Sequence, residues 1–177
     1  STCLLASCGI NRNGNNAELS LEDSEEGNKQ MNETRIPDKL VQIPQEYKEK
    51  ALQQGTLEQL DYKTYESMTY EQKSKELNKT AYVYLPYDYS EDKEYNIFYL
   101  MHGGWCNETT LLGTPGHETE FKNIIDHAIQ DGKMEPFIIV CPTYNNESRQ
   151  DSADYSLALI LTDNYHNELV NDLIPAV

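Results

Sequence analysis

The sequence predicts an α/β fold, on three observations. Two short apolar runs, residues 97–101 (IFYLM) and 137–141 (FIIVC), have the length and composition of strands covered on both faces. Between them Phe121, Ile124, Ile125, Ala128 and Ile129 recur at i, i+3, i+4, i+7 and i+8, the spacing of an amphipathic helix that Gly132 would close. The first run ends abruptly in His102-Gly103-Gly104-Trp105, a glycine turn at the carboxyl end of a strand, where open α/β sheets build their sites. Residues 95–142 therefore read as a strand–helix–strand unit, with a right-handed crossover expected.

The other elements follow in order. Pro44 and the run to Gly55 (QEYKEKALQQ) suggest a short helix with proline at its start and glycine at its stop. Residues 56–68 alternate loosely and read as a strand or a strand pair. Residues 80–87 (TAYVYLPY) alternate better and place Tyr82 and Tyr84 opposite Val83 and Leu85. Beyond the second apolar run, residues 145–155 read as a polar loop. Leu169, Val170, Leu173, Ile174 and Val177 then mark a last helix, capped by Asp163 or Asn164 and bent by Pro175.

Composition narrows the function. The chain has 177 residues, enough for one domain, with a formal charge of −16 and a pI near 4.5. Such acidity excludes a binder of nucleic acid or anionic membranes that relies on a basic patch. Residues 78–177 hold 16 acidic and 5 basic side chains, so the charge belongs to the folded part. Cysteines 3, 8, 106 and 141 have neither zinc-ligand nor disulfide-scaffold spacing, and no cofactor is implied. The start, STCLLASCG, reads as the end of a bacterial lipoprotein signal across residues 1–8, with Cys8 the lipidated residue. Residues 9–35 are polar and acidic without hydrophobic period and are expected to be a flexible tether. Residues 36–177 form the domain, and the molecule is expected at a bacterial cell surface or outside the cell. Its one route to a membrane is the anchor at Cys8.

Glycines after a buried strand let backbone N–H groups come close to a ligand. Two such donors can stabilise the oxyanion of an acyl-transfer intermediate, as HGGG-type loops do in lipases and esterases. In the segments YVYLPYDYSEDKEYNIFYLMHGGWCNETT, EFKNIIDHAIQDGKMEPFIIVCPTYNN and YHNELVNDLIPAV the chain resembles bacterial esterases of carbohydrate esterase family 1. These are feruloyl and acetyl-xylan esterases of the α/β-hydrolase fold, related to esterase D. The resemblance covers roughly residues 40–177 and implies cleavage of acyl or feruloyl esters on plant cell-wall xylan. It implies that Gly104 and Trp105 supply backbone N–H to the oxyanion hole, with His102 and Gly103 shaping the loop. The family loop often has further glycines where this chain has Trp105-Cys106.

The rest of the catalytic set does not fit within the chain. None of its ten serines has glycine at both −2 and +2, as a nucleophile elbow requires. The expectation is the first half of an esterase domain whose nucleophile, acid and histidine lie beyond Val177. Among the remaining candidates, Trp105, Tyr144 and His117 could line a substrate cleft near the strand ends. His127 reads as a solvated helix position, His166 as a capping or surface residue at the start of the last helix, and Cys141 as core. The competing reading is a non-catalytic surface lipoprotein that binds carbohydrate on an acidic, tyrosine-rich face.

Overall fold

The computed structural model describes residues 39–177, and Val41–Val177 form one folded unit. The leader, the tether and Cys8 lie outside the described residues. The main sheet has four strands. β1 (Thr56–Tyr65) and β2 (Glu76–Leu85) are antiparallel along their whole length, from Thr56 opposite Leu85 to Tyr65 opposite Glu76. β3 is Ile97–Tyr99; β4 (Gly113–Thr114) and β5 (His117–Glu118) form a separate two-residue hairpin; β6 is Ile138–Cys141. The order is β1-β2-β6-β3, with β6 antiparallel to β2 and parallel to β3. The sheet is thus mixed. Its parallel pair β3/β6 is joined through α1 (Glu120–Gln130), as the apolar spacing predicts.

Strand periodicity sorts the core into two layers. Leu57, Tyr84, Ile139 and Cys141 pack against Ile125 of α1 on one face. Tyr62, Ala81 and Val140 pack against Leu173 on the other. That second face is covered by α2 (Tyr155–Glu168), a wide π turn (Leu169–Leu173) and a last turn, Ile174–Ala176. Pro175 has no N–H to give to a helical ladder, and the chain meets it immediately after this wider turn.

Four expectations need correction. The segment after Pro44 forms only a single 3-10 turn, Gln45–Lys48. Of the two readings of residues 56–68 the single strand holds, as β1 ends at Tyr65 and a 3-10 segment, Ser67–Gln72, follows. The last helix starts at Tyr155, where the Asp154 carboxylate accepts the Leu157 N–H at 3.0 Å, and not near Asn164. Its inward positions, Leu157, Leu161, Tyr165 and Glu168, include a tyrosine and a carboxylate, so an apolar count misses the period. The strand at 97–101 is short and lies at the sheet edge, with Ile97 44% and Phe98 54% exposed rather than covered on both faces. The α1 stripe is likewise only half used. Lys122, Ile125 and Asp126 are buried, while Phe121, Ile124 and Ala128 line an apolar groove of about 580 Å³ shared with Ile97 and Phe98.

Buried carboxylates tie both helices to the sheet. Asp126 of α1 accepts the Gly55 N–H at 2.9 Å, the Tyr84 hydroxyl at 2.8 Å and the Lys122 ammonium at 2.6 Å. Glu168 of α2 accepts the Tyr62 hydroxyl at 2.6 Å and the Lys79 ammonium at 2.8 Å, with both charged side chains almost fully enclosed. Burial pushes the Glu168 carboxyl up and the Lys79 ammonium down, and the attraction and hydrogen bond between the two oppose both shifts. One turn on, Asp172 accepts the Thr64 and Tyr70 hydroxyls, each at 2.7 Å.

Two predictions follow from this layout. Lys79→Met alone should destabilise the fold by about 3–5 kcal/mol, because it strands a buried charge. The double variant Lys79→Met/Glu168→Gln should recover most of that loss in urea denaturation, since Tyr62 keeps an acceptor and no charge is left unpaired. Second, β3 pairs only with β6 among the described residues, and its outer edge is apolar. The isolated chain should self-associate through that edge, and Phe98→Lys should shift sedimentation toward monomer. Unchanged sedimentation would place the association elsewhere.

Candidate active-site loop

The loop at the end of β3 is held from two sides. On its inner side the His102 ring is buried, 6% exposed, and stacks on the Tyr144 ring at 4.5 Å between centroids. His102 Nδ1 lies 2.7 Å from the Gly103 carbonyl oxygen, and Nε2 lies 2.7 Å from Thr143 Oγ1. A carbonyl can only accept, so Nδ1 carries the proton and Nε2 accepts the Thr143 hydroxyl. Thr143 Oγ1 in turn accepts the Asn145 N–H at 3.1 Å. Tyr144 OH adds a second, longer donor to the Gly103 oxygen, at 3.3 Å. Burial lowers the His102 pKa below the ordinary imidazole value, which keeps the ring neutral in this arrangement.

On its outer side the loop leans on the 3-10 turn Arg149–Ala153, which opens on a Ser148/Asp151 capping box. The Trp105 N–H donates to the Ser152 carbonyl at 3.0 Å, and the Trp105 carbonyl accepts Arg149 Nε at 2.7 Å. The Cys106 carbonyl accepts Ser152 Oγ at 2.9 Å and Asn145 Nδ2 at 3.1 Å. Trp105 has a φ of 58°, the left-handed region that glycine occupies without penalty. The residue is 65% exposed. Beside it lies a cavity of about 270 Å³ lined by Gly104, Trp105, Tyr144, Tyr155 and Leu159 among others. A second, polar cleft of about 320 Å³ runs past Asn107, Glu108, Thr143 and Arg149.

The sequence-predicted residues therefore divide. His102, Gly103, Gly104, Trp105 and Tyr144 come together. His117 does not: it sits exposed on the β4–β5 hairpin and does not line the cavity beside Gly104. Tyr144 meets that cavity with little of its surface, 5% exposed, because one face is taken by His102. The expectation that the Trp105 amide faces a ligand also needs correction, because that amide is spent on Ser152. The Gly103 and Gly104 N–H groups make no hydrogen bond among the described residues. His127 is not simply solvated: it stacks on Tyr47 at 4.7 Å. His166, on α2 rather than at a helix start, bonds the Asp163 carbonyl through Nδ1 at 3.0 Å. Cys141 is buried core, its thiol pushed up to about 12 by desolvation. Among the described residues no cluster of three metal-ligating side chains occurs, and no helix is long and apolar enough to cross a membrane.

Sequence reasoning passed over Thr143, Asn145 and Ser152, which fasten the loop. The available signal was the run Pro142-Thr-Tyr-Asn-Asn, small polar side chains set directly after a buried strand and facing the neighbouring strand's end.

A mixed sheet with one helix between its parallel strands, and a His-Gly-Gly loop at the end of one of them, is the arrangement of part of an α/β-hydrolase fold. Residues 73–176, well over half of the chain, match the Esterase family, described as "Putative esterase", and the chain belongs to that family. It is 40% identical over 99 residues to endo-1,4-beta-xylanase Y of Acetivibrio thermocellus, covering 56% of this chain and 8% of that protein. It is 33% identical over 106 residues to an endo-1,4-beta-xylanase/feruloyl esterase of Xylanibacter ruminicola, covering 56% of this chain and 13% of that protein. A CE1 ferulic acid esterase of Anaeromyces mucronatus, solved with ferulic acid, shares the fold at a TM-score of 0.55 and 23% identity. The match covers 77% of this chain and 49% of that one. The chain thus spans a small part of its curated relatives and about half of that structure.

The His102 environment predicts a pH response. A folded-state pKa below the unfolded value means that the unfolded chain binds the proton more readily. This contribution to stability is complete above about pH 6.5, the unfolded value, and is lost as pH falls toward the depressed folded one. Urea midpoints should therefore drop across that window, and His102→Asn should flatten this part of the profile. A profile identical in the variant would assign the drop to other groups.

Proposed function

We propose that this chain is part of a serine carboxylesterase of the feruloyl or acetyl-xylan type, acting on acylated plant cell-wall polysaccharide. The observation that carries the reading is the His102–Trp105 loop at the end of β3, with the Gly104 N–H making no hydrogen bond among the described residues. Family membership and the two xylanase relatives support the same assignment. In this reaction a serine oxygen adds to the ester carbonyl carbon and the carbonyl electrons move onto oxygen. A fixed N–H aimed at that oxygen lowers the barrier because it meets charge that exists only in the transition state. The exposed Trp105 side chain and its neighbouring apolar cavity suit an aromatic acyl group. The polar cleft past Asn107 and Arg149 suits the sugar hydroxyls.

The described residues do not complete a triad. Ser152 is buried and donates to the Cys106 and Arg149 carbonyls. Both His102 nitrogens are engaged, so His102 is not the base. The nucleophile, its acid and its histidine are therefore proposed to come from polypeptide other than residues 39–177. The STCLLASCG start supports attachment of the protein at the cell surface through Cys8. The second reading, a non-catalytic carbohydrate-binding lipoprotein, rests on the polar cleft and on the missing Gly-x-Ser-x-Gly.

Residues 1–177 alone should not hydrolyse methyl ferulate or nitrophenyl acetate, whereas the complete protein should do so and be labelled on serine by a fluorophosphonate. A complete protein that binds xylo-oligosaccharide, lacks turnover and resists labelling would favour the lipoprotein reading. In the active protein, Gly104→Val should cut kcat by about 10²-fold or more. A rise in KM alone would make the loop a binding wall.

A further inference from the structure

We infer that Thr143 and Tyr144 are positioning residues for acyl transfer, acting with His102 to hold the Gly103 carbonyl inward and so turn the Gly104 N–H outward. The inference rests on the esterase reading and adds the device that selects one amide of the loop.

The argument begins with the peptide unit between Gly103 and Gly104. It is planar and trans, as is every peptide bond among the described residues, so its C=O and N–H point in opposite directions. Whatever fixes the Gly103 oxygen therefore fixes the Gly104 hydrogen. Two donors converge on that oxygen from the buried side, His102 Nδ1–H at 2.7 Å and Tyr144 O–H at 3.3 Å. The Gly104 N–H is thereby directed away from the protein interior, toward the exposed side of the loop.

The first donor exists only in one tautomer of His102. With the proton on Nε2, the ring would present a lone pair to the Gly103 oxygen and repel it. The Gly103 carbonyl, which can only accept, demands the Nδ1–H tautomer, and Thr143 supports it by offering Nε2 a donor. The Thr143 oxygen accepts the Asn145 N–H at 3.1 Å, which leaves its own proton to donate to Nε2 at 2.7 Å. The direction of the relay is thus set throughout, from the Asn145 amide to the Thr143 hydroxyl, the imidazole and the Gly103 carbonyl. Stacking on Tyr144 holds the ring plane in which the relay works.

The neighbouring amide is removed from contention by a separate contact. The Trp105 N–H is held by the Ser152 carbonyl at 3.0 Å. Among the described residues the Trp105 N–H is spent and the Gly104 N–H is not, and the latter belongs to the peptide that His102, Thr143 and Tyr144 orient.

Two measurements test this. In residues 1–177, long-range proton–nitrogen correlation NMR should find His102 as the Nδ1–H tautomer. Thr143→Val should mix the tautomers and shift the Gly104 amide, and Thr143→Ser should restore both. In the complete esterase, Thr143→Val should lower kcat on methyl ferulate about tenfold with KM unchanged, Thr143→Ser should recover it, and Tyr144→Phe should lower kcat a few-fold. Thermal midpoints would verify that each variant folds. An Nε2–H tautomer in the unaltered chain overturns the inference, as does an active esterase whose kcat is indifferent to both residues or whose KM alone responds. A complete protein without turnover instead overturns the esterase reading, and with it the catalytic role, even where the NMR finds the tautomer as expected.

Discussion

The Glu168 carboxylate is the contact through which α2 is locked to the sheet, and the geometry of the candidate site depends on that lock. Glu168 sits immediately before the π segment, packed against β1 and β2, and receives Tyr62 and Lys79. Desolvating two charges is expensive, and attraction between them offsets the cost only in tight geometry with the remaining lone pairs satisfied. Those conditions leave the helix little freedom to slide or rotate. Its other end follows directly from the turn Arg149–Ala153, whose Ser152 carbonyl takes the Trp105 N–H and whose Arg149 reaches the Trp105 carbonyl. A charge pair at one end of α2 thus sets where the outer wall of the His-Gly-Gly loop can stand.

The inner wall is built differently. It comes from β6, whose last residues run on into Pro142, Thr143, Tyr144 and Asn145, all buried. Because β6 is parallel to β3, both strands end on the same side of the sheet, which brings Thr143 and Tyr144 against His102. The loop is therefore gripped between a strand end and a helix start, and its backbone groups are apportioned. The Gly103 carbonyl faces inward, and the Trp105 amide and carbonyl face the turn. Neither Gly103 nor Gly104 has a positive φ. A Cβ at Gly103 would meet nothing within 4 Å, and one at Gly104 would only touch the Ser152 oxygen at 3.4 Å. The fold does not need glycine at these two positions, so the requirement for a bare backbone falls on the open side, where a ligand approaches.

What could be read from the sequence was whatever depends on apolar period. The strand–helix–strand unit, the glycine loop and its place after β3 all follow from runs of Ile, Val, Leu and Phe and from where those runs stop. What escaped depends on buried polar groups. Asp126, Glu168 and Lys79 look like surface residues in a chain of charge −16, yet each is almost completely enclosed. Tyr62 and Tyr84 serve as core and as hydrogen-bond donors at once, which no hydropathy count registers. The start of α2 was missed for the same reason. The exposure of β3 was missed because an apolar run reports that a strand prefers cover, not whether cover is present.

Trp105 shows why residue type alone misassigned the loop's donor. A run of glycines would leave each amide equally free to turn, and the resemblance alone cannot choose among them. Here a bulky residue occupies a left-handed conformation that costs a non-glycine residue about 1–2 kcal/mol. The hydrogen bonds of its amide to Ser152 and of its carbonyl to Arg149 help to offset that cost, and they remove the Trp105 N–H from any catalytic use. In exchange the loop gains a tryptophan, 65% exposed, next to the unspent Gly104 amide. Departure from the family's glycine thus takes the Trp105 amide out of the loop's donors and sets an exposed aromatic side chain beside Gly104.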